Sequence, residues 1–516
     1  MPPSMADAGR RAASAWHPPR AVPGSRPRPV PSPDIVTVVN PVASEARVTR
    51  CPPGTRLLRA GIIAFAVVVI SWLIVEALNG ALSLVDLTVY RDGGLIVRHV
   101  RPYYDPGSYA PLYDWGGFSA LALKFTYTPF AAIAFAVVSV LPWGVLVAFS
   151  VVVNMAALVT ALWFTFGGLG YTDRRVRLGA TLLAAAVTFW LQPVVRTIYL
   201  GQINLILMAA IIWDLCQPEL RADGRRRWWK GAVTGVAAGI KLVPLVFVPY
   251  LLVTRRFREA TATVAGFAAT VAAGFAVLPH DSSQWWLHGM FLADGNRAGF
   301  MGWAGNQSLR AVITRFAGSV AAGQDPWIVA AVVALAVGLT AAYLLERAGY
   351  PVPALLATAL AGLLASPVSW DHHWVWIAPA VAVTGHYALA AARRARQGGG
   401  ARRTARWLWA LAAGMIFFFA AWPDALWENA RNLGNFSLGF LWAQPNTNPI
   451  KFAEHGDKPG YVEYHWHGFQ LLWGNAYVLA GVALLAILLV LGWRLARRGT
   501  ATSAAAPREE LSATIP

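Results

Sequence analysis

Charge is scarce in this 516-residue sequence: 13% of residues are charged against 57% hydrophobic, and the mean hydropathy is +0.48. That excludes a soluble globular domain, in which about a quarter of residues are charged. The apolar excess also excludes disorder for the bulk of the chain. Cysteine is nearly absent. Cys51 and Cys216 are the two, far apart and outside any CxxC, so neither a disulfide framework nor a cysteine metal site is supported. The short alternating segments of a membrane β-barrel are missing. No apolar core follows the start within ~30 residues, which argues against a signal peptide. Lysine is rare as well: five of the 43 Lys+Arg are lysine, and with 25 Asp+Glu the net charge is +18.

What is present is a series of apolar runs near or above the roughly 18 residues that cross a bilayer. The expectation is an all-α polytopic membrane protein of roughly 10–12 transmembrane helices. Its arginines sit in short links between runs: Arg174/Arg175/Arg177, Arg225/Arg226/Arg227, Arg255/Arg256/Arg258, Arg393–Arg406 and Arg494/Arg497/Arg498. This is the positive-inside pattern, so the excess charge points to anionic lipid headgroups and not to nucleic acid. Residues 1–55, rich in Pro, Arg, Ala and Ser, read as a disordered basic cytoplasmic tail, and 496–516 as a second tail. Between them, 56–495 form the membrane body. Its outer loops are 79–128, 279–325 and 423–469, each too long to be a mere connector. The run 231–253 has arginines on both flanks and Pro244 within it, so it should enter and return as two half-helices. The run 130–165 is long enough for two spans split at Pro142, but two full crossings would place Arg174–Arg177 outside, against the charge rule.

Several polar residues in this apolar setting are candidates for chemistry. Asp86 follows the first run, in Val85-Asp86-Leu87-Thr88-Val89-Tyr90-Arg91-Asp92-Gly93-Gly94. A carboxylate at a membrane margin is a functional candidate by default, able to act as a general base; a helix cap or an ion pair with Arg91 is the alternative. Lys241, in Gly239-Ile240-Lys241-Leu242-Val243-Pro244, needs a counter-charge or a watery cavity. A phosphate would suit it, and so would snorkelling to a headgroup. His372 and His373, in Ser366-Pro367-Val368-Ser369-Trp370-Asp371-His372-His373-Trp374, point in different directions on a helix and are poor joint metal ligands; one can donate to an anion while the other packs. Arg196, Gln202 and Asn204 lie together at an outer turn, where amides often only bridge helices. His455, Glu463, His465 and His467 carry an H-x-H spacing, which suits either a metal or a solvated aromatic loop.

Taken in order, these pieces resemble glycosyltransferase family 87, the polyprenol-phosphate-sugar-dependent enzymes of the GT-C fold. The resemblance rests on Val85–Tyr90 with Gly93-Gly94, Phe125-Thr126-Tyr127-Thr128-Pro129, Gly201-Gln202-Ile203-Asn204, Lys241-Leu242-Val243-Pro244, Asn306-Gln307-Ser308, and Ser366–Trp374. The family often has proline where this chain has Thr128. The resemblance implies a multi-pass enzyme of the bacterial plasma membrane with its active site on the periplasmic side. It would move mannose from polyprenol-phosphate-mannose to a hydroxyl of a membrane glycolipid or lipoglycan in α-1,2 linkage, by inversion. Transfer of arabinofuranose from the corresponding donor is the alternative, and a transporter of a lipid-linked or anionic substrate is a more distant one. Asp86 would be the base that takes the acceptor proton. One carboxylate suffices for a single displacement. Lys241, Arg196, His372 and His373 would hold the donor phosphate, and Tyr90, Gln202, Asn204 and Asn306 the sugar or acceptor. No metal or cofactor is implied, the lipid-linked sugar being a co-substrate.

Overall fold

The computed structural model describes residues 53–79, 82–99, 111–114, 123–220, 223–292, 301–398, 400–422, 438–442, 463 and 466–504. The basic tail before residue 53, the end of the chain after residue 504, and most of the 423–469 loop, with His455 and His465, lie outside the described residues. In chain order the helices are α1 (Pro53–Asn79), α2 (Val85–Val97), α3 (Pro129–Val138), α4 (Trp143–Gly168), α5 (Arg174–Phe189), α6 (Gln192–Leu200) and α7 (Asn204–Cys216). Then come α8 (Ala232–Ile240), α9 (Phe247–Val253), α10 (Phe257–Val277), α11 (Leu309–Ala317), α12 (Gln324–Arg347) and α13 (Pro351–Ala365). A 3-10 turn, Asp371–Trp376, leads into α14 (Ile377–Arg396), and α15 (Arg402–Phe419) and α16 (Ala476–Ala504) complete the body. Ala421–Trp422 pairs antiparallel with Leu438–Gly439.

Six helices among the described residues are long and apolar enough to cross a bilayer, and three shorter apolar ones pack among them. The chain is an all-α, multi-pass membrane protein. Large apolar side chains stand exposed along these helices, among them Ile62, Ile63 and Val67 on α1 and Val329, Val332 and Val333 on α12. A patch of that extent is a lipid-facing surface. α1 reaches the body through small residues: a Cβ on Gly61 would lie 2.7 Å from the Gly179 carbonyl of α5, the close approach typical of helix packing in lipid.

Helix lengths settle the ambiguous 130–165 run. α3 has ten residues, about 15 Å, too short to cross. It lies alongside α2, with Tyr90 stacked on Phe135 and Gly94 against the Phe135 backbone. α4 crosses alone, from Trp143, which Arg91 of α2 approaches to 5.9 Å, to Gly167, against which Arg177 packs. The arginines at 174–177 therefore sit at the far end of the body from α2, as the charge rule requires.

The 231–253 segment is a re-entrant hairpin. α8 has nine residues, about 14 Å. It runs parallel to α10: Gly231 meets Glu259, Gly235 meets Thr263 and Phe267, and Gly239 meets Thr270. At Lys241 the backbone turns extended. Pro244 opens a 3-10 turn, and α9 returns directly into the start of α10. Both feet of the hairpin thus stand at the arginine-rich end and Lys241 is its tip. A second break lies between α6 and α7, bent by 117°. There Gly201 takes φ 70°, a conformation other residues resist. Asn204 then starts α7 at the level of Lys241, and Asp214 in its last turn reaches the hairpin foot, accepting from the Gly231 and Thr234 amides at 2.9 Å each.

Candidate active site

α2 begins with a strained turn. Leu84 has φ 50°, unfavourable for a branched residue, and is held there by its amide bond to the Tyr199 carbonyl at 3.0 Å. That bond fastens the start of α2 to the end of α6 and sets Asp86 in the first helical turn, half-buried. Among the described residues no group donates a hydrogen bond to the Asp86 carboxylate. Its electrostatic neighbours are Lys241 and Tyr90, Tyr90 standing one turn further along the same face.

Behind Asp86 lies a connected polar network in an aromatic core. Lys241 donates to Asn204 Oδ1 at 2.7 Å and to Gln202 Oε1 at 3.0 Å. It also stands 5.2 Å from the centre of the Tyr127 ring, a cation–π arrangement. Tyr90 donates to the same Gln202 oxygen at 2.6 Å and shares a 2.8 Å bond with the Tyr127 hydroxyl. Gln202 Nε2 donates to Tyr127 at 3.3 Å. Tyr90, Gln202 and Asn204 are all buried, so they face one another and Lys241, in the role of a cradle for the ammonium. Tyr127 came into the sequence reading only as part of a motif. Its neighbour Thr128 caps α3, accepting from the Ala131 amide at 3.2 Å, and bonds the Gly239 carbonyl at the end of α8. A proline in its place would offer neither bond.

The network continues to the histidines. Asn204 Nδ2 and Thr197 Oγ1 both donate to the His372 carbonyl, at 3.0 and 3.1 Å. The His372 ring faces Asp371 through Nδ1, 3.0 Å from Oδ1. Asp371 Oδ2 accepts from Gln192 Nε2 at 2.7 Å, and Tyr477 donates to Gln192 Oε1 at 2.9 Å. With Nδ1 held by a carboxylate, the other ring nitrogen is free for proton transfer or anion contact; His372 Nε2 is buried with no hydrogen-bond partner among the described residues. His373 packs edge-on against His372, ring centres 4.9 Å apart, within Coulomb range of Lys241.

Asp86, Tyr90, Gln202, Asn204, Lys241, His372 and His373 are thus brought together. Arg196 stands on α6 over the Tyr199 ring, 5.3 Å from its centre. Asn306 lies beside Trp370, next to Asp371, but its side chain bonds Met301, Pro367 and Ser369 and not the residues around Lys241. Fully buried, it donates to the Met301 carbonyl at 3.0 Å and accepts from the Ser369 amide at 3.0 Å. It clamps the approach to α11 against the strand-like stretch before Asp371, leaving no free face for a sugar. The histidine-rich segment holds another such clamp. Glu463 accepts from the Ala304 amide at 3.0 Å, and Arg315 donates to the carbonyls of Gly302, Trp303 and Asn306. Burial pushes the Glu463 carboxyl up, opposed by its backbone hydrogen bonds and by Arg315. Asp371 and Gln192 were not singled out from sequence. Asp371 stood in a quoted motif, while nothing distinguished Gln192 from other intramembrane amides.

The sequence model of glycosyltransferase family 87 matches residues 125–369, which takes in Gln202, Asn204 and Lys241 and stops short of Asp86 and His372. Curated relatives extend the match. The chain is 34% identical over 349 residues to a polyprenol-phosphate-mannose-dependent alpha-(1-2)-phosphatidylinositol pentamannoside mannosyltransferase of Mycobacterium tuberculosis, covering 67% of this chain and 76% of that protein. It is 33% identical over 320 residues to a polyprenol-phosphate-mannose-dependent alpha-(1-2)-phosphatidylinositol mannoside mannosyltransferase of the same species, covering 58% and 70%. A Mycolicibacterium smegmatis protein with the latter name is 32% identical over 385 residues, covering 70% and 79%. No solved structure matches the chain.

Proposed function

Since the chain belongs to glycosyltransferase family 87, we propose that it transfers mannose from polyprenol-phosphate-mannose to a hydroxyl of a phosphatidylinositol mannoside or related lipoglycan, by inverting displacement. The observation that carries this reading is an undonated carboxylate, Asp86, within Coulomb range of a cradled ammonium, Lys241, where the start of α2, the α6–α7 break and the tip of the hairpin meet. The acceptor oxygen attacks the anomeric carbon and loses its proton to Asp86. The bond from that carbon to the phosphate oxygen breaks, and the electron pair leaves with the polyprenyl phosphate. Lys241, fixed by Gln202 and Asn204, meets the charge that develops on the phosphate. Such preorganised stabilisation is commonly the largest catalytic contribution. His372, turned by Asp371, offers Nε2 to the same phosphate. By the positive-inside rule the site faces the periplasm, opposite the arginine clusters.

The test is a membrane assay with radiolabelled polyprenol-phosphate-mannose and a phosphatidylinositol mannoside acceptor. Asp86→Asn is expected to lower turnover by about 10²–10⁴-fold, with donor binding kept. Turnover near wild type in that variant would remove the base, and transfer from the arabinose donor alone would remove the sugar assignment.

A further inference from the structure

At the arginine-rich end of the body a cavity of about 440 Å³ opens between the α9–α10 turn and the end of α12, lined by Val253, Thr254, Arg255, Tyr343, Glu346 and Arg347. That volume suits a small ligand or a headgroup. It belongs to no part of the transfer site, which lies at the opposite end of the hairpin.

Three features give the cavity a chemistry. The first is backbone strain. Arg255 has φ 61° at the end of α9, where its amide bonds the Leu252 carbonyl at 3.0 Å and the next amide bonds Leu251 at 2.8 Å. This is a helix-end position that glycine or asparagine ordinarily takes. An arginine there carries a conformational cost that tends to persist at binding sites. The second is uncompensated charge. Glu346, the acidic lining residue, is already engaged: it accepts from Tyr250 at 2.9 Å and lies 3.9 Å from Arg256. Arg255 and Arg347 form no ion pair among the described residues. Arg347 donates to the Tyr343 hydroxyl at 3.0 Å, which leaves the tyrosine proton available to an acceptor. The third is depth. Leu252, Val253 and Phe257, beside the cavity, are exposed apolar side chains of the lipid-facing surface, so the opening lies where hydrocarbon gives way to headgroups.

We propose that this cavity binds the phosphate of an anionic phospholipid headgroup at the arginine-rich membrane face, with Arg255 and Arg347 as the paired cations and Tyr343 as a hydroxyl donor. A phosphate held there ties the α9–α10 turn to the end of α12. Because α9 is the return arm of the hairpin that carries Lys241, the lipid braces the foot of that hairpin.

The experiment uses the full chain in nanodiscs of phosphatidylcholine, with and without phosphatidylglycerol, and a third arm of phosphatidylcholine with inorganic phosphate. Thermal unfolding is the readout. Phosphatidylglycerol should raise the midpoint of the wild type by about 3 °C. Arg255→Gly relieves the strain while deleting the charge, so it should hold its midpoint in phosphatidylcholine and lose the phosphatidylglycerol response. Arg347→Gln, in regular helix, should lose the response without touching the turn. An equal phosphatidylglycerol response in wild type and both variants would overturn the site. An equal response to inorganic phosphate alone would overturn the lipid assignment.

Discussion

Lys241 illustrates how neighbours fix the place of a single residue. A lysine in an apolar run is ambiguous between headgroup snorkelling and a buried role. Hydrogen bonds to Gln202 and Asn204 hold it in place. Asp371 does the same for His372. Replacing it with asparagine keeps the shape but removes the charge that orients the ring, so turnover should fall about 10–100-fold. A loss in kcat with KM and the unfolding temperature unchanged would distinguish orientation from a folding defect. Asp92, on α2 six residues past the proposed base, is a different case. It is buried, and desolvation pushes its carboxyl up to about 6, with Arg91 opposing. A carboxyl raised in the folded state keeps its proton there while the unfolded chain loses it. Stability therefore falls as pH rises from about 4 to 6. Asp92→Asn should stabilise the protein at pH 7 by on the order of 2 kcal/mol and flatten that slope, as unfolding midpoints measured across the range would report.

At the scale of elements, the site is made by helix breaks. α2 starts at a strained leucine, α6 and α7 part at a glycine, α8 stops at Lys241, and α14 is entered by a 3-10 turn. Each break frees backbone and polar side chains inside the membrane body, which is tolerated only where neighbouring protein satisfies them. Gly201 is where two of these elements touch. A Cβ there would lie 2.5 Å from the Leu87 Cβ, next to Asp86, and the backbone would be strained at φ 70°. Gly201→Ala should therefore move α2 and Asp86. The expected outcome is a cost of about 1–3 kcal/mol and a loss of turnover of about 10²-fold. Protein yield and unfolding temperature read the first effect, and single-turnover rates the second. Breaks of this kind were partly legible: proline and paired arginine flanks pointed to the re-entrant 231–253 segment. The single crossing of α4 was less so, because a ten-residue helix lying against α2 has the same composition as a membrane span.

For the whole molecule, the arrangement of ends gives a prediction about sidedness. Ser83 is exposed beside Asp86, and Arg258 is exposed at the hairpin foot. In a chain with Cys51 and Cys216 replaced by alanine, a cysteine at position 83 should react with a membrane-impermeant maleimide in intact cells. One at position 258 should react only after permeabilisation. The reverse pattern would put the site on the cytoplasmic face. The lipid-facing residues of α1 and α12 imply that the protein is extracted only with detergent or polymer, in keeping with the six candidate spans.

The sequence by itself determined the class of the molecule, the arginine-rich end, the re-entrant segment and most of the polar residues that meet at the candidate site. Lipid permits few charges and amides, so each one retained stands out against the apolar runs, and positive charge marks an end regardless of packing. Tertiary structure alone decided which of those residues lie together. It joined Gln202 and Asn204 to Lys241, drew Asp371 and Gln192 in behind His372, and set Asn306 as a backbone clamp beside Trp370 and Asp371. Those assignments depend on contacts between residues 37, 39, 63 and 179 positions apart, and spacing along the chain carries no record of them.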